Sequence, residues 1–170
     1  MGNFDFVKVA IPRLHEDCAR AEAYLVSDPR AACIYGRRAV ELLVDYLYEV
    51  LALPVPYKDD LSAKTNAPAF KARTGPAISA KLNLVRKLGN DAVHKTVAPT
   101  GRDALGLVRE VYLVMLWASA RYSPQPAAVP TAAPFDPALA AKAGPLSSRE
   151  VQQLLARFRA QDEAAAKLRD

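Results

Sequence analysis

The sequence predicts an all-α fold, an antiparallel bundle of four to five helices. Two observations carry this prediction: apolar residues recur at helical spacing as far as Tyr122, and no stretch alternates apolar and polar residues as a strand would. The chain has 170 residues, of which 51% are hydrophobic, enough for one core but hardly for two. Packing such helices side by side is the simplest way to bury their apolar stripes.

The first two predicted helices are defined by their apolar stripes and by one clear start signal. Asp28 is suited to cap a helix, and Pro29 follows at the first helical position. The turn Pro54-Val55-Pro56 is expected to end the second helix. The first stripe consists of Leu14, Cys18, Ala21 and Leu25, and the second of Cys33, Val40, Leu43, Val44, Leu47 and Leu51.

Two further helices are predicted beyond a weakly helical, proline-punctuated stretch that runs from residue 61 to residue 76. Gly89 is expected to stop the third helix, because glycine commonly follows the last helical turn. The fourth begins after Pro99-Thr100-Gly101. The third stripe is Ile78, Leu82, Val85 and Leu88, and the fourth is Leu105, Val108, Val111, Tyr112, Met115 and Ser119.

The composition changes after the bundle, so we divide the chain into a bundle at 1–122, a linker at 123–146 and a terminal amphipathic helix at 147–170. Six of the thirteen prolines fall between Ser123 and Pro145, which is typical of an extended linker. Ser147 and Glu150 have the spacing of a capping box. The apolar seam that follows is too narrow to hold a helix alone, so this helix either docks or begins a coiled coil.

Several classes of protein are excluded by composition. The two cysteines, Cys18 and Cys33, are too few for a disulfide framework and are expected to be small core residues in a reducing compartment. No signal peptide is recognisable and the longest apolar run is too short to span a membrane, so we expect a cytoplasmic protein without membrane contact. No Cys, His or carboxylate pattern suits zinc or magnesium, and we predict no cofactor.

A concentration of positive charge indicates a polyanionic partner. Between Leu61 and Arg102 there are eight Lys and Arg residues and a single acid, Asp91, whereas the whole chain carries +5. Such a field favours nucleic acid, RNA or DNA, as the partner. The predicted nucleic-acid-binding residues are Lys81, Arg86, Lys87, Lys95 and Arg102.

The motif inside this basic segment carries the candidate catalytic residues. If the helix continues through it, Arg86, Asn90 and His94 lie on one ridge at spacings of four, a set suited to phosphodiester chemistry. The interpretation we favour from the residues alone is structural: Gly89 ends the helix, Asn90 caps the next turn, and His94 is a hydrogen-bonded wall residue. The sequence 89–96 has the Lys-Thr pair of a P-loop, but His94 replaces the second glycine and a helix precedes it, which excludes a nucleotide-binding loop.

Four further polar residues are predicted to support the motif: Arg37, Arg38, Glu41 and Asp91. The spacing of four between Arg37 and Glu41 is typical of an ion pair on a solvated helix face, and that is the interpretation we favour. The alternative is that they face the motif from across the bundle.

Several separated motifs resemble one known bacterial family. The sequences Asp28 to Cys33, Arg37 to Leu43, Asp59 to Ser62 and above all Leu82 to His94 resemble a domain of unknown function in the HEPN superfamily. This domain is common at the N-terminus of type I restriction enzyme R subunits and related helicase-containing proteins. The resemblance covers residues 3–122, and it implies either an excised N-terminal region or a stand-alone relative.

The resemblance also implies a function. HEPN proteins are small helical bundles, often homodimers, and many are metal-independent RNases with an Arg-polar-x-x-x-His motif. His94 and Asn90 match its histidine and polar positions, whereas the arginine position falls on Gly89. We therefore expect a non-catalytic accessory domain of a restriction or antiviral-defence protein, binding nucleic acid, another subunit or a helicase module. The alternatives are a ribonuclease using His94 with Arg86 or Lys87, and a dimerisation module.

Overall fold

The computed structural model describes residues 1–140 and 148–167, and within them it confirms the all-α prediction, with no strand. The helices are α1 (Asp5–Ala10), α2 (Pro12–Ala23), α3 (Pro29–Val50), α4 (Leu61–Asn66), α5 (Pro68–His94), α6 (Gly101–Tyr122) and α7 (Ser148–Lys167). None of them has both the length and the apolarity needed to cross a bilayer.

Helix α3 lies at the centre of the bundle and packs against α2, α5 and α6. It begins as predicted: the Asp28 side chain accepts a hydrogen bond from the Ala31 amide at 3.0 Å, and Pro29 occupies the first position. Cys18 on α2 and Cys33 on α3 are both fully buried, which confirms that they are core residues. Burial raises the pKa of the Cys33 thiol to about 12 and that of Cys18 well above its usual value.

Helix α5 differs from the prediction at both ends. It begins at Pro68, so the proline-punctuated stretch 61–76 forms α4 and the first arm of α5, with a kink at Gly75 (φ 77°) followed by Pro76. At the other end the helix does not stop at Gly89 but continues to His94. The prediction that Gly89 ends the helix was therefore wrong, and the reason lies in its contact with α3, described below.

The described part of the predicted linker packs along the bundle. The Ser123 hydroxyl donates to the Ala10 carbonyl at 2.7 Å, and the Tyr112 hydroxyl donates to the Ala133 carbonyl at 2.7 Å. Asn3 donates to the Asp136 carbonyl at 2.8 Å and accepts from the Asp136 amide at 2.7 Å. These bonds anchor the chain beside α1 and α6 as far as Asp136.

Helix α7 returns to the bundle and contacts α5. Its Phe158 side chain is only 1% exposed, so the terminal helix docks rather than standing free. The predicted capping box involves Ser147, which lies outside the described residues.

Candidate anion-binding site

The site is built around Arg37, which α3 directs into the interior. Its side chain is 6% exposed, and its Nη2 atom lies 3.2 Å from Glu41 Oε1. The same guanidinium donates two hydrogen bonds to Asp162 of α7, from Nη2 to Oδ1 at 3.0 Å and from Nη1 to Oδ2 at 3.4 Å. The predicted ion pair between Arg37 and Glu41 is present, but its predicted place on a solvated face was wrong, because Arg37 is buried and also pairs with Asp162.

His94, the last residue of α5, reaches the same carboxylate. Its Nε2 atom lies 2.6 Å from Asp162 Oδ2, and 45% of its side chain is exposed. Two donors from different helices, α3 and α5, therefore converge on one anionic group. The imidazole is not sealed in the core, so it remains accessible to a ligand.

Gly89 explains how Arg37 comes to lie beside α5. A Cβ atom at position 89 would lie 2.5 Å from the Arg37 Cβ, too close for any pair of carbon atoms. Only glycine permits this approach of the two helices. The missing side chain of Gly89 thus brings the Arg37 guanidinium within reach of the residues one turn further along α5.

Arg86 and Asn90 complete a cavity of about 240 Å³ with Arg37 and His94. The Arg86 Nη2 atom donates to Asn83 Oδ1 at 2.8 Å, which orients its guanidinium. Within the described part of the chain, Arg37 Nε, Arg86 Nε and Asn90 Oδ1 are buried without a hydrogen-bond partner. Buried polar atoms normally find partners, so these three atoms offer unused capacity for a ligand. The polar lining consists of Arg37, Asp60, Ser62, Arg86, Asn90, His94 and Asp162.

The pKa values of the two carboxylates show how the site distributes charge. Burial would raise the pKa of Asp162, but the hydrogen bonds from Arg37 and His94 outweigh it, so this pKa lies below its usual value. Burial raises the pKa of Glu41 more than the charge of Arg37 lowers it, and the nearby charge of Asp162 raises it further. The site thus favours a full negative charge at the position of the Asp162 carboxylate.

The predicted basic residues do not all gather at this cavity. Lys81 pairs with Glu110 at 2.8 Å, and Lys95 pairs with Asp91, one turn away on α5, at 2.8 Å. Lys87 and Arg102 are exposed outside the cavity lining.

Among the supporting residues, Arg38 pairs with Asp17 at 3.4 Å. Glu41 does not line the cavity and is connected to it by its ion pair with Arg37. Of the residues predicted to bind nucleic acid, only Arg86 lines the cavity with His94 and Asn90. No group of His, Cys, Asp or Glu among the described residues is arranged to hold a metal ion.

Two residues of the site were not predicted in the parts they play. Arg37 was given a supporting position, and Asp162 was not considered. A buried arginine needs an anionic partner, but the partner is 125 residues away in the sequence. The one local signal was Gly89, whose missing side chain marks a close approach of another helix.

The comparisons with known proteins identify a family for most of the bundle. No curated protein and no solved structure was found to match the chain. One family model, described as domain of unknown function DUF4145, matches residues 19–121, which cover α3 to α5 and almost all of α6. The match takes in Arg37, Arg86, Asn90 and His94 but not α7. The chain therefore belongs to the DUF4145 family.

Proposed function

We propose that the domain binds a phosphate group of a nucleic acid in the cavity formed by Arg37, Arg86, Asn90 and His94. One observation carries the proposal: two of these residues already hold a carboxylate, the side chain of Asp162, through three hydrogen bonds. The two non-bridging oxygens of a backbone phosphate present the same pair of acceptors and the same single negative charge. Arginine binds carboxylates and phosphates in the same bidentate geometry, through two parallel hydrogen bonds.

The surroundings of the cavity favour a polyanion over a small anion. Residues 61–102 carry eight cations and one acid, and Lys87 on α5 and Arg102 at the start of α6 are exposed. Part of that charge is neutralised by ion pairs, so the remaining field is weaker than the sequence count indicates. Backbone phosphates spaced along a strand would use the cavity for one contact and the exposed cations for others.

The arrangement also supports the resemblance to HEPN domains. The motif position that falls on Gly89 lacks its arginine, but Gly89 makes room for Arg37, whose guanidinium enters the same cavity as Asn90 and His94. An arginine on α3 thereby stands in for one on α5. The role that this resemblance implies completes the proposal: a non-catalytic accessory domain of a restriction or antiviral-defence protein, acting as a homodimer or beside a helicase module.

Arg86 gives the cleanest test of nucleic-acid binding, because it lines the cavity without touching Asp162. The full chain is titrated into a labelled single-stranded RNA at two salt concentrations, with Arg86→Gln compared with Arg13→Gln, which removes the same charge from a surface pair with Glu49. We expect affinity to fall steeply with salt and Arg86→Gln to weaken it several-fold, with a salt slope smaller by about 0.7. Equal affinities of the two variants, or binding indifferent to salt, would contradict the proposal.

A second candidate function is metal-independent RNA cleavage, favoured by one geometric detail. Arg37 Nη1 and His94 Nε2 both reach the same oxygen, Asp162 Oδ2, so both would reach one phosphate. In this reaction His94 accepts the 2′-hydroxyl proton and the 2′-oxygen bonds to phosphorus. The bond from phosphorus to the 5′-oxygen then breaks, and that oxygen takes a proton from water. The hydroxide left behind is neutralised by the proton that His94 gives up, which returns the imidazole to its neutral form.

Cleavage is tested by incubating the protein with structured RNA and a chelator. His94→Ala is compared with His15→Ala, since the chain has only these two histidines and His15 lies on α2. Loss of cleavage in His94→Ala alone supports the ribonuclease. Equal residual cleavage by both variants would eliminate it.

A further inference from the structure

Helix α7 presents two residues of one face to the site. Phe158 and Asp162 are four residues apart, and both contact Arg37: the guanidinium carbon lies 5.2 Å from the Phe158 ring centre, and the carboxylate accepts its hydrogen bonds. A third contact secures the helix to α5, since Arg159 Nε donates to the Val93 carbonyl at 3.1 Å. The terminal helix therefore packs against the same arginine to which the proposed function assigns the phosphate.

The Asp162 carboxylate occupies the place where a phosphate would bind. It uses both terminal nitrogens of Arg37 and the exposed ring nitrogen of His94, the donors that a phosphate oxygen pair would need. Arg86 and Asn90 stay in the cavity without contacting it, and their buried atoms keep unused hydrogen-bonding capacity. The Asp162 carboxylate therefore leaves part of the hydrogen-bonding capacity of the cavity unused.

We propose that α7 is an autoinhibitory segment whose Asp162 blocks the anion-binding site, and that a nucleic-acid phosphate displaces it. This inference rests on the proposed function. Because α7 belongs to the same chain, its carboxylate acts at an effective concentration of about millimolar, so a few contacts are enough to hold it. Asp162 remains 31% exposed, which leaves the contact open to competition by a polyanion whose other phosphates contact exposed cations.

The chain offers a matched pair of substitutions on adjacent residues. Asp162→Asn removes the charge that Arg37 and His94 hold, and Glu163→Gln removes the same charge from an exposed position on α7. Phe158→Ala loosens α7 without any change in net charge and without removing a polar group from the cavity, although it also removes the ring that packs against Arg37. If α7 is released in Asp162→Asn and Phe158→Ala but not in Glu163→Gln, the effect comes from opening of the site and not from the general loss of one negative charge.

Hydrogen exchange of the amides of residues 148–167 in the full chain measures docking without nucleic acid. We expect exchange about tenfold faster in Asp162→Asn, since a hydrogen bond to a charged group contributes at least that factor, and wild-type rates in Glu163→Gln. Inorganic phosphate should speed exchange in the wild type more than chloride at equal ionic strength. Unchanged exchange in both Asp162→Asn and Phe158→Ala would overturn the docking on which the inference depends.

Binding of the labelled single-stranded RNA then tests the inhibition itself. We expect Asp162→Asn and Phe158→Ala to bind about tenfold more tightly than the wild type, and Glu163→Gln to match it. RNA binding that is equal in all four proteins would overturn the inhibition and leave the proposed function intact. Absence of binding in all four would overturn the proposed function, and the inhibition with it.

Discussion

Gly89 occupies its place in α5 because a larger residue would collide with Arg37. Glycine normally costs stability inside a helix, about 1 kcal/mol relative to alanine. Here the cost is offset by the close approach of α3 and α5, which places the Arg37 guanidinium in the cavity. The atom in conflict is the Arg37 Cβ, which the backbone fixes, so the arginine cannot simply swing aside.

We therefore predict that Gly89→Ala lowers the free energy of unfolding by about 1–3 kcal/mol, the usual cost of overpacking a core. Gly106→Ala is the control, because a Cβ at that position in α6 meets no atom within 4 Å. That variant should gain up to about 1 kcal/mol from helix propensity. Urea unfolding monitored by circular dichroism measures both, and a stabilised Gly89→Ala would refute the packing argument.

The buried thiols predict a dependence of stability on alkaline pH. Burial raises the pKa of Cys18 and Cys33 in the folded chain, so above about pH 8.5 the unfolded chain loses thiol protons that the folded chain keeps. Stability from this source is fully present below that pH and is lost as pH rises, by about 1.4 kcal/mol per thiol at pH 9.5.

The measurement is urea unfolding at pH 7 and pH 9.5, with the double variant Cys18→Ala, Cys33→Ala as control. The double variant should lose less stability between the two pH values than the wild type. The same loss in both proteins would show that the thiols do not carry the effect.

At the scale of the helix, α5 consists of two arms joined at Gly75. Its dihedral angles, φ 77° and ψ 170°, belong to a region that only glycine occupies without strain, and Pro76 then starts the second arm at the position that suits it. The Thr74 hydroxyl oxygen lies 3.0 Å from that of Ser79 across the bend. The kink lets one continuous segment carry both the arm beside α4 and the site at His94.

Gly75→Ala should cost about 1–3 kcal/mol through backbone strain alone, because a Cβ there meets no atom within 4 Å. Gly101→Ala, at the start of α6, has equally open surroundings and no unusual dihedral angle, so it should be nearly neutral. Thermal unfolding distinguishes the two, and equal transition temperatures would contradict the argument from strain.

Most of the helices, and the ridge of Arg86, Asn90 and His94 on α5, were predictable, whereas the contacts between helices that complete the site were not. Apolar periodicity is local, so the stripes of α2, α3, the second arm of α5 and α6 were evident from the sequence alone. The start of α5 was missed because Pro68, Gly75 and Pro76 are turn signals that act here as a helix start and a kink.

The position of Arg37 was missed because its spacing from Glu41 is the same on a buried face as on a solvated one. What distinguishes the two is the contact with Asp162, and no local pattern reports a partner on another helix far along the chain. Gly89 was misread for the same reason, since the tertiary contact with Arg37 overrides its usual place at a helix end.

At the scale of the whole molecule, the bundle presents one cavity in which side chains from α3 and α5 meet an anion supplied by α7. The net charge of +5 attracts polyanions to the molecule in general, and the ion pairs of Lys64, Lys81 and Lys95 reduce that field locally. This cavity therefore differs from the rest of the basic surface in its geometry, because the Arg37 guanidinium and the His94 imidazole both bond to the same carboxylate.

The two histidines allow the most direct measurement of this account, because only His94 lies in the cavity and His15 serves as an internal control. Nuclear magnetic resonance follows the imidazole signals of both while single-stranded RNA, and separately inorganic phosphate, is added to the Asp162→Asn protein. We predict that the His94 signals shift and saturate, whereas those of His15 stay in place. Signals of His94 that do not move, or that move only in parallel with those of His15, would contradict an anion-binding site at this position.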